Sequence, residues 1–250
     1  MNLNLRLEGP AGAPVLILAH SLGNNLGMWE PQVAALHDRW RVLRYDHRGH
    51  GRSPCPPGPY TVEEIARDAL AVIASIGVER FAFCGISLGG LVGQWLALHE
   101  GWRVERLVLA STAARIGTDE IWNARLESVR AGGMSAVVDA AIERSFTPGF
   151  RARAPEAVAR LRATILANAP EGYMAAIAAV RDFDAREAVS RIRVPTLVIS
   201  GSGDVSTPPA DGHFLADRIP GARYQEVDAA HLANLEAPEA FNAALLEFLG

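Results

Sequence analysis

Short apolar runs alternate along the chain with longer stretches in which apolar residues return every three or four positions. The first pattern reads as buried strands and the second as amphipathic helices. Strands are predicted over residues 3–8, 15–19, 41–45, 80–84, 106–110, 196–200 and 223–227. Helices are predicted over 29–37, 88–99, 209–218 and 237–249, and from an N-cap at Thr61 to a stop at Gly77. Glu64 follows Thr61 at the spacing of a capping box. This alternation predicts an α/β class, a mostly parallel sheet flanked by helices.

The alternation breaks between about residues 117 and 184. Segments 120–131, 135–145, 155–169 and 173–180 read as about four helices, with no convincing strand among them. Gly132-Gly133, Thr147-Pro148-Gly149 and Ala169-Pro170 separate them. The expected organisation is a core of residues 1–116 and 185–250 with a helical cap, 117–184, inserted into it. Such a cap is expected over the carboxyl edge of the sheet, where open α/β folds bind ligands.

Composition narrows the function classes. A chain of 250 residues, 49% apolar and 21% charged, suits one globular α/β domain rather than a disordered segment. Lys and Arg number 24 against 28 Asp and Glu, and they form no basic block, so no nucleic-acid partner is expected. No apolar stretch approaches the length that spans a bilayer, and the alternating N-terminus is expected to be a strand, not a signal peptide. Cys55 and Cys84 have neither metal-ligand nor redox spacing. A reducing cytoplasm is the expected setting.

The chemistry centres on Gly85-Ile86-Ser87-Leu88-Gly89, between a predicted strand and a predicted helix. That setting is what a nucleophile elbow requires, because strand and helix must pass very close around a strained serine. Glycines at 85 and 89 remove the side chains that would collide there, and Gly90 and Gly93 keep the helix slim. A serine hydroxyl needs a base, and the base needs an orienting acid; behind this turn they follow in the order acid, then histidine. His231 follows the last predicted strand and is the expected base. His20, His37, His47, His50, His99 and His213 fit less well and read as packing or solvated side chains. Asp204, just after the strand over 196–200, is the expected acid, with Asp119 and Asp228 as the alternatives. Oxyanion stabilisation calls for preorganised N–H donors. The backbone amides of Leu88 and Leu22 are expected to supply them, the latter from the turn His20-Ser21-Leu22-Gly23.

These residues, with Tyr45-Asp46-His47-Arg48-Gly49-His50-Gly51-Arg52-Ser53 and Gly201-x-x-Asp204, resemble the α/β-hydrolase superfamily. Within it, Gly85 to Trp95, Ser111-Thr112-Ala113-Ala114, Trp122-Asn123-x-Arg125, Phe146-Thr147-Pro148-Gly149-Phe150 and Ala179-Val180-Arg181-Asp182 resemble the 3-oxoadipate enol-lactonases. The likeness runs over nearly the whole chain, and Ser21, where many hydrolases carry glycine, agrees with it. The resemblance implies hydrolysis of a five-membered enol lactone to 3-oxoadipate, late in aromatic-ring degradation, with no metal or organic cofactor. It also implies a carboxylated substrate, for which Arg125 and Arg181 are candidate partners. Trp122 is a candidate pocket wall, its plain alternative being helix packing. Two rival readings follow from the fold: another ester, lactone or carbon–carbon bond hydrolase, or a small-molecule receptor that keeps the scaffold. Hydrolases that attack with aspartate are disfavoured by serine at position 87, and a complete triad argues against a pure binder.

Overall fold

A computed structural model describes residues 1–250. The chain runs β1 (Leu5–Glu8), β2 (Val15–Ala19), α1 (Glu30–Leu36), β3 (Arg41–Tyr45), α2 (Val62–Ser75), β4 (Phe81–Ile86), α3 (Leu88–His99) and β5 (Val104–Ala110). Five helices follow without a strand: α4 (Asp119–Gly132), α5 (Val138–Ser145), α6 (Pro148–Arg153), α7 (Pro155–Leu166) and α8 (Pro170–Asp182). Alternation resumes with β6 (Thr196–Gly201), α9 (Pro209–Arg218), β7 (Arg223–Val227), α10 (Ala233–Glu236) and α11 (Pro238–Leu249).

One sheet takes the order β1-β3-β2-β4-β5-β6-β7, with only β1 antiparallel to its neighbour. Every residue of β2 and β4 is buried, as expected of central parallel strands covered on both faces. β7, at the edge, is buried only at Val227. The chain passes from β2 outward to β3, then returns to lay β4 on the other side of β2. That reversal makes a crevice at the carboxyl ends of β2 and β4. Ala19 pairs with Gly85 across it, so the turn at His20 and the turn at Ser87 open side by side.

The α/β architecture with an extra helical insertion agrees with the reading from the sequence. The Thr61 capping box forms: Glu64 N–H donates to Thr61 Oγ1 at 3.1 Å and Thr61 N–H to the Glu64 carboxylate at 2.8 Å. The insertion holds five helices rather than about four. Thr147-Pro148-Gly149, read as a separator, starts α6: Thr147 Oγ1 accepts from Phe150 N–H, and Pro148 occupies the first turn. The helix expected from 135 begins at Val138, because Gly133–Ala136 forms a 3₁₀ turn. Within the insertion α4 packs on α8 and α5 on α7. No helix is long and apolar enough to cross a membrane.

Candidate active site

Ser87 ends β4 and begins α3 with φ 56° and ψ −114°, a left-handed backbone that costs a non-glycine residue energy. The surroundings hold it there. A Cβ on Gly85 would lie 2.1 Å from the Gly89 carbonyl oxygen, and one on Gly89 would lie 2.1 Å from that of Ala19. Strand, turn and helix are therefore in backbone contact, and only glycine fits both positions. Ser87 N–H donates to Ala110 O at 3.1 Å, and Thr112 Oγ1 donates to Ser87 O at 2.9 Å.

His231 and Asp204 come from the loops after the paired strands β7 and β6. These loops are joined by Ser202 N–H to Val227 O and Gly203 N–H to Ala229 O, both 2.9 Å. Gly201 permits the approach, since its Cβ would sit 2.3 Å from Ala230 O. Asp204 Oδ2 accepts from His231 Nδ1 at 2.7 Å and from Thr207 Oγ1 at 2.8 Å. Its Oδ1 accepts from the N–H groups of Ser206 and Thr207. Burial alone would push this carboxyl up, but the imidazole and the Thr207 bonds outweigh it and hold Asp204 below the usual carboxylate range. Of the alternatives, Asp119 pairs with Arg115 at 2.7 Å and Asp228 meets the Ser202 hydroxyl, so neither touches His231.

Residues flanking His231 are tied to the insertion. Leu232 N–H donates to Ser145 O at 3.0 Å, and Ala230 N–H donates to the Glu236 carboxylate at 3.0 Å. The same carboxylate accepts from the backbone and hydroxyl of Thr147. Glu236 thus joins the His231 loop to the start of α6.

The turn carrying Leu22 is clamped by three histidines that the sequence placed among packing or solvated side chains. All three rings are buried. His47 N–H donates to His20 Nε2 at 2.9 Å, which leaves Nδ1 of His20 to donate to Ser21 O at 2.8 Å. Gly23 N–H donates to His50 Nε2 at 3.0 Å, so His50 Nδ1 donates to Arg48 O. His47 Nε2 donates to His20 O. Burial holds all three below the ordinary histidine value, so they are neutral rings in fixed tautomers. Asn168 Nδ2 adds a bond to Gly23 O from the insertion. The Leu22 N–H takes no backbone partner, and Leu88, as the first residue of α3, has no intrahelical carbonyl to meet.

Ser87, Leu22 and His231 line one cavity of about 210 Å³, roofed by Trp122, Arg125, Ala141, Arg144, Ile165 and Tyr173 of the insertion. That is below the roughly 300–1,000 Å³ of pockets for drug-sized ligands, so a small substrate fits. Trp122 is both wall and packing, its Nε1 donating to Ile116 O at 2.6 Å. Arg125 lies over the Trp122 ring, 4.5 Å from its centre. Arg181 is a correction: it pairs with Asp182 at 2.7 Å, donates to Asn123 Oδ1 at 2.9 Å, and is not part of the cavity wall. Arg144 was not singled out from the sequence, yet it lines the cavity. Its pattern on an amphipathic helix beside Glu143 is that of a solvated face, and only the packing of α5 turns it inward.

The α/β hydrolase fold family model matches residues 14–238. The chain is 41% identical over 243 residues to 3-oxoadipate enol-lactonase 2 of Acinetobacter baylyi, covering 97% of this chain and 91% of that protein. Among solved structures, the enol-lactonase from Burkholderia xenovorans LB400 superimposes with a TM-score of 0.97 at 44% identity, covering 99% of this chain and 96% of the other. A thermophilic esterase from Thermogutta terrifontis superimposes with a TM-score of 0.92 at 31% identity, covering 99% and 92%.

Proposed function

The chain belongs to the α/β-hydrolase family, and from that premise we propose that it opens the lactone ring of 3-oxoadipate enol-lactone to give 3-oxoadipate. It is a carboxylic-ester hydrolase of the β-ketoadipate route of aromatic catabolism. The observation that carries the mechanism is His231, held by the buried Asp204, lining the same small cavity as the strained Ser87.

Ser87 Oγ attacks the lactone carbonyl while His231 Nε2 accepts its proton; Asp204 holds the opposite nitrogen and favours the imidazolium. The N–H groups of Leu22 and Leu88 meet the negative charge that grows on the carbonyl oxygen. Collapse breaks the acyl–oxygen bond of the ring. The ring oxygen departs as an enolate, takes back from His231 the proton that came from Ser87, and tautomerises to the ketone, a stabilised leaving group. Water, giving a proton to His231, then attacks the ester on Ser87; the Ser87–acyl bond breaks as His231 returns that proton to Ser87 Oγ, and the second carboxylate is released. Residues 117–184 act as the cap that closes this cavity. With its exposed Cys55 thiol, the enzyme is assigned to the reducing cytoplasm.

Ultraviolet loss of the enol lactone, compared with release of p-nitrophenol from its acetate, tests the substrate. We expect kcat/KM to favour the enol lactone by a hundredfold or more. Equal values would leave a general esterase.

A further inference from the structure

The peptide between Ser21 and Leu22 carries more polar chemistry than the Leu22 amide alone. Its carbonyl accepts from His20 Nδ1 at 2.8 Å and from Asn24 N–H at 3.1 Å. In a trans peptide the N–H points away from the C=O, so these two bonds also fix the direction of the Leu22 N–H. Ser21 is buried beside it, and Ser21, Leu22, Asn24 and Ser87 line one cavity. Only the bonds Oγ–Cβ, Cβ–Cα, Cα–C and C–N separate the Ser21 hydroxyl from the Leu22 nitrogen, so both groups belong to one small patch of wall. Asn24 Nδ2 donates to Ser21 Oγ at 3.0 Å. The hydroxyl oxygen is therefore an acceptor toward Asn24, and its own proton has no acceptor on this chain. A buried O–H with nothing to receive its proton is costly unless a molecule entering the cavity receives it.

We propose that Ser21 is a catalytic residue, its hydroxyl a third donor to the oxyanion beside the N–H groups of Leu22 and Leu88. A carbonyl oxygen has two lone pairs, which the two amides meet; the tetrahedral oxyanion has a third, and the Ser21 O–H meets it. The bond forms as the negative charge forms, so it lowers the barrier more than it strengthens substrate binding. Asn24 is a positioning residue that acts through this hydroxyl. The inference rests on the serine-hydrolase chemistry of Ser87 and not on which lactone or ester is the substrate.

Steady-state kinetics on 3-oxoadipate enol-lactone and on p-nitrophenyl acetate test this in wild type, Ser21→Ala, Ser21→Thr, Asn24→Ala and the double variant Ser21→Ala/Asn24→Ala, with folding checked by urea unfolding. In Ser21→Ala kcat is expected to fall about 10- to 100-fold on both substrates, with KM within about threefold of wild type. Ser21→Thr keeps a hydroxyl and is expected to recover part of the loss. Asn24→Ala is expected to lose less, and the double variant no more than Ser21→Ala alone, because both changes act through one hydroxyl. Inhibition by butylboronic acid is the independent arm. Its boron takes a bond from Ser87 Oγ as His231 takes the proton, giving a tetrahedral anion in place of the reacting carbonyl. Its Ki is expected to rise in Ser21→Ala by the factor lost in kcat. A kcat in Ser21→Ala within about threefold of wild type, a loss carried by KM, an unchanged boronic acid Ki, or additive losses in the double variant each overturn the proposal. A wild type with no preference for the enol lactone overturns the lactonase reading alone; p-nitrophenyl acetate turnover and the boronic acid Ki then decide on Ser21 by themselves.

Discussion

Asp204 accepts four hydrogen bonds, and each of them fixes the ring of His231 a little more firmly. Asp204→Asn keeps the shape but places an amide where the imidazole N–H must be received, which favours the wrong tautomer. A loss in kcat of about a thousandfold to ten-thousandfold is expected, with little change in folding. Asp119→Asn, at an exposed pair, is the comparison; near-full activity in Asp204→Asn with a large loss in Asp119→Asn would reverse the assignment. At this scale the sequence was informative where backbone constraint and residue identity coincide. Ser87 is bracketed by glycines that nothing but close approach explains, and Asp204 and His231 each follow a strand. Arg144 and Arg181 were not legible in this way. Both are arginines on amphipathic helices, and which one faces the cavity depends on how α5 and α8 are docked.

The elements matter through the bonds between loops that the sequence cannot pair. Glu236 looks like one more acid ahead of the last helix, yet it receives Ala230 N–H and both donors of Thr147, the latter 89 positions from Glu236 in the chain. Removing it leaves the buried Ala230 N–H and the part-buried donors of Thr147 without that partner. Glu236→Ala is expected to lower the unfolding free energy by about 3 kcal/mol in urea titrations. It should also lower kcat about tenfold, because the His231 loop loses its link to α6. Wild-type values for both would show that the link does not position His231. The helix count in the insertion illustrates the same limit. Thr147-Pro148 carries ordinary start signals, but a proline and a glycine together also read as a break, and only the packed α6 decides between them.

Over the whole molecule, the three buried histidines make stability depend on pH. Each is neutral in the fold, because burial lowers its affinity for a proton. Each becomes an ordinary histidine, with the value 6.5, when the chain unfolds. Below that value the unfolded state binds more protons than the native one, so stability falls as pH falls from 6.5 toward the lowered native values. Asp204, also lowered, adds a loss of the same sign below its ordinary value of 3.8. The urea midpoint is expected to drop between about pH 7.5 and pH 5.5, with uptake of up to about three protons on unfolding. Equal midpoints would mean that the rings are not held neutral. The histidines escaped a reading from the sequence because their work is mutual: each ring orients the backbone of the turn between β2 and the Leu22 amide. The sheet order that brings this turn beside Ser87 is what joins fold to chemistry.

That junction makes Ser87 the most direct point of attack. The measurement is kcat/KM for 3-oxoadipate enol-lactone in Ser87→Ala against wild type, with folding checked by urea unfolding. We expect a fall of about ten-thousandfold or more at unchanged stability. Activity within tenfold of wild type would contradict nucleophilic attack by Ser87.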